Sequence, residues 1–225
     1  QRNQISQFTT LNNFREIINQ YESAFSKHGN SAHSVLWPKG RQDLRFEALT
    51  RPIIGNNFSL LDYGCGLAHL KDYLDKHFVS FKYHGVDIVP DFINYCKNKH
   101  PACEFKLISD YRDTRTNYDY IVLSGVFNIL TSSNRDNHLQ LISDTLEHLF
   151  KITNKSLSVN FMTDRVDFEQ PGAFHMSEID ALRLLQTSLS SRILLNSSYM
   201  PYEYTITILK DSSIIRPDNI YKKSL

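Results

Sequence analysis

The run Leu60-Leu61-Asp62-Tyr63-Gly64-Cys65-Gly66 constrains the fold of this chain more than any other segment. Residues 58–63 form a short apolar run with strand character, the two glycines mark a tight turn, and 67–78 has helical character, so strand, turn and helix follow without a linker. The same alternation continues downstream. Strands are predicted over 83–87, 104–108, 118–123 and 157–162, and helices over 90–98, 137–152 and 178–189, the last with Ser177 as N-cap. Strands separated by helices pair in parallel, and both faces of such a sheet are covered. Two closing strands over 192–196 and 204–209 are joined by 197–203, which is too short for a crossover helix, so this pair is expected to be antiparallel.

Upstream of residue 58 the pattern is helical. Leu11, Phe14, Ile17, Ile18 and Tyr21 make one apolar stripe within a helix predicted over 11–25. A loop over 28–40 carries His33, Trp37 and Pro38, and a short helix over 42–49 follows. The expected organisation is a helical extension or lid over 1–57 and a core over 58–225. With 25 basic and 24 acidic residues the net charge is +1, which gives no support to bulk electrostatic steering toward nucleic acid. Cys65, Cys96 and Cys103 are sparse and lack CxxC spacing, so neither a disulfide scaffold nor a structural zinc site is expected, and a reducing, cytoplasmic setting fits them. No apolar run is long enough to span a membrane, and residues 1–10 lack the apolar segment of a secretory leader. No cluster has metal-ligand spacing, so no metal is expected.

In an open α/β sheet, ligands bind beyond the carboxyl ends of the strands, and glycines at such a turn let a ligand approach bare backbone. One strand later, Gly85-Val86-Asp87-Ile88 places an acid where it can accept hydrogen bonds from both hydroxyls of a ribose. Dinucleotide folds carry a third glycine in GxGxxG, but here that position is His69. Asp62, just before the turn, would repel a pyrophosphate and suits an amino acid or adenosyl group better.

These residues resemble the class I S-adenosylmethionine-dependent methyltransferases. Residues 61–68 resemble the first motif of that family, and Val86-Asp87-Ile88 the second; Ser109-Asp110-Tyr111 and the run from Tyr118 to Gly125 resemble the stretches after its third strand and along its fourth. The resemblance implies a Rossmann-like, seven-stranded, mostly parallel sheet with its last strand antiparallel, and S-adenosyl-L-methionine as cofactor. It also implies residue roles. The backbone at Gly64 and Gly66 approaches the methionine part of the donor, and Asp62 holds its ammonium. Asp87 binds the ribose and Ile88 packs on the adenine; Asp110 accepts from the adenine amine beside Tyr111, and Ser124 lines the methionine end. The segment 37–46 resembles one found ahead of the core in some small bacterial methyltransferases, which adds Trp37, Gln42 and Arg45 to the donor set. Gln42 and Arg45 share a helix face; Arg45 either pairs with the donor's carboxylate or simply packs over the core.

A sulfonium-bound methyl group is already activated, so the protein needs to exclude water and align a nucleophile, with a base more useful for a hydroxyl than for an amine. His175 and His33 are the candidate bases, with His28 behind them; each could instead make only a loop hydrogen bond. His69 is expected to position a helix. Asn128, Asn160 and Tyr202 are candidate acceptor contacts, and Trp37, Phe127 and Phe161 candidate apolar walls. The Asn-Pro-Pro-Tyr motif that resembles amino-methylating enzymes is replaced here by Ser124-Gly125-Val126-Phe127. The expected acceptor is an oxygen or nitrogen of a small organic molecule, with neither membrane nor nucleic acid as partner. Rival readings are methylation of RNA or protein, with Lys39, Arg41, Arg112 and Arg115 as a basic track, a dinucleotide oxidoreductase, and a non-catalytic subunit that keeps the fold.

Overall fold

The alternation of apolar strands and amphipathic helices gives a seven-stranded sheet. The computed structural model describes residues 2–36, 41–131 and 134–210, with side chains from residue 14 onward. Two helices come first, α1 (Arg2–His28) and α2 (Gln42–Thr50). The sheet region then runs β1 (Phe58–Tyr63), α3 (His69–His77), β2 (Phe81–Asp87), α4 (Pro90–Lys99), β3 (Glu104–Leu107), β4 (Tyr118–Leu123), α5 (Arg135–Lys151), β5 (Thr153–Met162), α6 (Glu178–Ser188), β6 (Ile193–Met200) and β7 (Glu203–Leu209). A single 3-10 turn, Tyr111–Asp113, lies between β3 and β4.

The strand order is β3-β2-β1-β4-β5-β7-β6. Pairings from β3 through β5 are parallel, and β7 is antiparallel to both β5 and β6. The chain first winds outward from β1 to β3 and then restarts at β4 on the other side of β1, which makes the β1–β4 junction a topological switch point. Because side chains alternate across a strand, β1 feeds two cores. Leu61 and Tyr63 join Ile142, Leu146 and Leu185 beneath α5 and α6, whereas Phe58 and Leu60 join Leu49, Leu74 and Ile93 beneath α2, α3 and α4.

Several boundaries differ from those read in the sequence, β2 starting at Phe81 and β5 at Thr153, and two of the differences bear on α1 and the closing hairpin. Helix α1 extends past both ends of its apolar stripe, because no glycine or proline interrupts the polar flanks until Gly29, whose φ of 59° and N–H bond to the Phe25 carbonyl end the helix. The closing hairpin is tighter than expected: β6 continues to Met200 through a register shift between Asn196 and Met200, leaving Pro201 and Tyr202 as the turn. Among the described residues, no helix is long and apolar enough to cross a membrane.

Candidate functional site

A cavity of about 1160 Å³ opens at the carboxyl ends of β1, β2 and β4, where the switch point predicts a ligand. Its floor is the glycine turn. Gly64 and Gly66 have φ of 77° and 52°, a region that side chains disfavour. A Cβ at Gly64 would stand 2.7 Å from the Val126 Cγ2, and one at Gly66 would stand 3.0 Å from the Val35 Cγ1. Backbone is therefore the surface presented there. The N–H groups of Gly64 and Cys65 both donate to the Val86 carbonyl, at 2.8 and 3.0 Å, tying the turn to β2.

Asp87 completes the tie. Its Oδ2 accepts from the Gly66 N–H at 2.8 Å and its Oδ1 from the Val89 N–H at 3.0 Å. Burial raises its pKa, and these backbone donors oppose the rise. Each carboxylate oxygen can accept a further bond, so a fixed acid lines the cavity with capacity for two hydroxyls. Ile88, beside it, is half-buried and supplies an apolar wall. Asp62 is also buried and also lines the cavity. The Tyr83 hydroxyl donates to its Oδ2 at 2.5 Å, yet burial still pushes its pKa up to about 7. A bound cation would shift such a carboxyl toward its ionised form.

Asp110 and Tyr111 line the cavity after β3. Asp110 is half-buried, caps the 3-10 turn, and receives the Arg112 guanidinium on both oxygens at 2.6 Å, which lowers its pKa. Its carboxylate was expected to be open to a ligand amine; it is instead paired with Arg112, whose side chain is 58% exposed, and solvent screening makes such a pair weak enough for a ligand to compete with.

The opposite rim comes from α2, with Glu203 of β7 behind it. Arg45 and Glu203 are both buried, with Arg45 Nε donating to Glu203 Oε1 at 2.9 Å and its Nη2 donating to Oε2 at 2.5 Å. Arg45 lines the cavity together with Gln42 and Ser124, but its fork is turned to Glu203 rather than open to a ligand carboxylate. Nearby, Asn160 Oδ1 accepts from the Gly125 N–H at 2.7 Å and fixes the exit of β4. Asn128 and Phe127 line the cavity, whereas Asn160, Phe161 and Tyr202 do not.

Neither candidate base reaches this cavity. His175 is buried and its Nδ1 donates to the Thr163 carbonyl at 2.7 Å, an anchor for the loop after β5. His33 is exposed and lies against the His28 ring, with centroids 5.4 Å apart. The histidine that lines the cavity is His69, whose Nε2 donates to Asn30 Oδ1 at 2.9 Å and whose pKa is lowered by burial. Trp37 and Lys39 lie outside the described residues. Two contributions escaped the sequence reading: Phe14, Ile17 and Tyr21 from α1, and Leu141, Asp144 and Thr145 from α5. The signal was available in their spacing of three and four, which puts each set on one helix face, but the sequence reading of an N-terminal extension or lid named no cavity residues on α1 and none on α5.

No family model matches the chain. A candidate methyltransferase of Mycobacterium tuberculosis is 28% identical over 158 residues, spanning 69% of this chain and 95% of that protein. Among solved structures, magnesium protoporphyrin IX methyltransferase from Synechocystis, bound to S-adenosylmethionine, is similar with a TM-score of 0.56 at 16% identity over 81% of this chain and 85% of that one. A TehB-like S-adenosylmethionine-dependent methyltransferase from Corynebacterium glutamicum gives a TM-score of 0.53 at 15% identity over 88% and 97%. One from Aquifex aeolicus gives 0.54 at 16% identity over 78% and 95%. The fold is thus one shared with S-adenosylmethionine-dependent methyltransferases.

Proposed function

We propose that this chain, a class I methyltransferase by sequence likeness and fold, transfers the methyl group of S-adenosylmethionine to an oxygen or nitrogen of a small organic acceptor by in-line displacement. The observation that carries the reading is the pair of buried acids around the bare glycine turn, Asp87 tied to Gly66 and Asp62 with its raised pKa. This set suits a ligand with a ribose at one end and an ammonium at the other. Asp87 accepts from the ribose hydroxyls, and Asp62 holds the ammonium as it ionises. Gly64 and Gly66 admit the chain between them, Ile88 and Tyr111 flank the adenine, and Ser124 lies at the transfer end. The donor supplies a methyl group already activated on a sulfonium. What the chain contributes is an oriented pocket, with Gln42 and Arg45, the latter held by Glu203, walling the acceptor side.

Two features favour a small acceptor over RNA. The cationic side chains that line the cavity, Arg45 and Arg112, are each paired with an acid, and Asp62, Asp87 and Asp144 line it as well. Phosphate would therefore meet a wall of carboxylates. The three cysteines are free thiols, which fits a cytoplasmic enzyme. The test is incubation with methyl-labelled S-adenosylmethionine and, separately, a pool of small phenols and amines or a pool of total RNA. Label in a small product is the expected result; label in RNA, or none in either pool, would contradict the proposal.

A further inference from the structure

Among the aromatic residues of α1, Tyr21 differs from its neighbours. Phe25 packs on Phe92 and Tyr95, with ring centroids 5.6 Å apart in both cases, and does not line the cavity. Tyr21 also packs edge-on against Phe92, at 5.7 Å, but it lines the cavity together with Phe14 and Ile17. Residues 14, 17 and 21 share one helix face, so α1 turns a strip over the cavity while Phe25, one turn on, fastens the helix to α4. The returning segment adds Val35 directly over Gly66, so this part of the chain covers the glycine turn from outside the sheet. Tyr21 is half-buried, and among the described residues no hydrogen bond is made by its hydroxyl, which is left for a ligand in the cavity that its side chain lines. Burial first, and then the nearby Asp87 carboxylate, hold the phenol in its protonated form, while Arg45 opposes them. The hydroxyl therefore lies within electrostatic reach of both rims of the cavity and is available as a hydrogen-bond donor, not as a base.

We propose that Tyr21 is a donor-binding residue: its hydroxyl donates to an oxygen of S-adenosylmethionine lying between Asp87 and Arg45, and its ring closes the cavity over the donor against water. This rests on the donor assignment above and adds a contact from outside the sheet motifs. The product form, S-adenosylhomocysteine, carries the same oxygens and serves as the probe.

The test is calorimetric titration of the full chain and its Tyr21→Phe, Tyr21→Ala and Phe25→Leu variants with S-adenosylhomocysteine, with melting temperature measured alongside. Loss of one hydrogen bond predicts an affinity about threefold to tenfold weaker for Tyr21→Phe at an unchanged melting temperature, and weaker still for Tyr21→Ala. Phe25→Leu is expected to lower the melting temperature while keeping affinity within about twofold, because it touches only the helix anchor. Unchanged affinity in Tyr21→Phe would overturn the proposal. So would an equal loss in Phe25→Leu, which would reduce Tyr21 to helix docking. No binding by the unaltered chain would instead bring down the donor assignment itself, and this inference with it.

Discussion

The β1–β2 rim of the cavity is made of backbone and two acids, whereas the α2 rim, braced from behind by β7, is made of side chains. At the first rim, Gly64, Cys65 and Gly66 are tied to Val86 and Asp87 through main-chain N–H groups, Gly66 and Asp87 lying 21 residues apart at the ends of neighbouring strands. At the second, Arg45 reaches Glu203, 158 residues away, and the wall stands only if both ends of the chain have folded against β5 and β7. A rim of the first kind accepts changes to surrounding side chains and binds what its backbone admits. One of the second kind can be recut by substitution, which suits the side proposed above to meet the acceptor. It is also the more fragile, since removing one member of a buried ion pair strands the other.

The largest expected effect follows from that fragility. Glu203→Gln or Arg45→Met alone should destabilise the fold by about 3–5 kcal/mol, read from denaturant unfolding. The pair Arg45→Met with Glu203→Leu should recover most of the loss; equal destabilisation by single and double variants would show that the two rims do not differ in this way. Next, Asp87→Asn should weaken S-adenosylhomocysteine binding by about tenfold to a hundredfold, the range for a hydrogen bond to a charged group, and should cost about 1–3 kcal/mol in unfolding because its amide nitrogen then faces a backbone N–H. A variant that unfolds with unaltered affinity would assign Asp87 to holding the turn alone.

Asp62 sharpens the comparison through pH. Its folded pKa of about 7 lies above the usual carboxyl value of about 4, so between those values the folded state holds the proton that the unfolded state has lost. Its contribution to stability is therefore fully present at low pH, falls as pH rises through that window, and is level above about 7. Asp62→Asn should remove this decline from the melting temperature profile. Affinity for S-adenosylhomocysteine should rise as pH passes through about 7, and the same variant should flatten that rise if the ammonium meets Asp62. The smallest effects belong to the histidines outside the cavity. His33→Ala should leave methyl transfer within about twofold, and His175→Gln should do the same while costing about 1 kcal/mol for its bond to Thr163. A large loss of turnover in either would return a base to the list.

Much of the first rim was legible in the sequence, because a strand, two glycines and an acid one strand later are local signals with local causes. The parallel pairing and the antiparallel ending followed from connection lengths, whereas the strand order became visible only in the fold. What the sequence lacked was direction. His175 was placed correctly after β5, but only the folded loop turns its ring to the Thr163 carbonyl instead of the cavity. Tyr21 belonged to an apolar stripe, and one stripe can face a core at Phe92 and a cavity at the next turn. Arg45 was left open between a ligand carboxylate and packing over the core, and the carboxylate it meets in the fold belongs to Glu203, a pairing that no spacing near Arg45 announces.

The most direct measurement is calorimetric titration of the unaltered chain with S-adenosylhomocysteine, run beside NADH. Saturable one-to-one binding of S-adenosylhomocysteine, with none for the dinucleotide, is the expected result for two acids around a two-glycine turn. Binding of the dinucleotide in its place would contradict the donor assignment and make the switch-point cavity an oxidoreductase site.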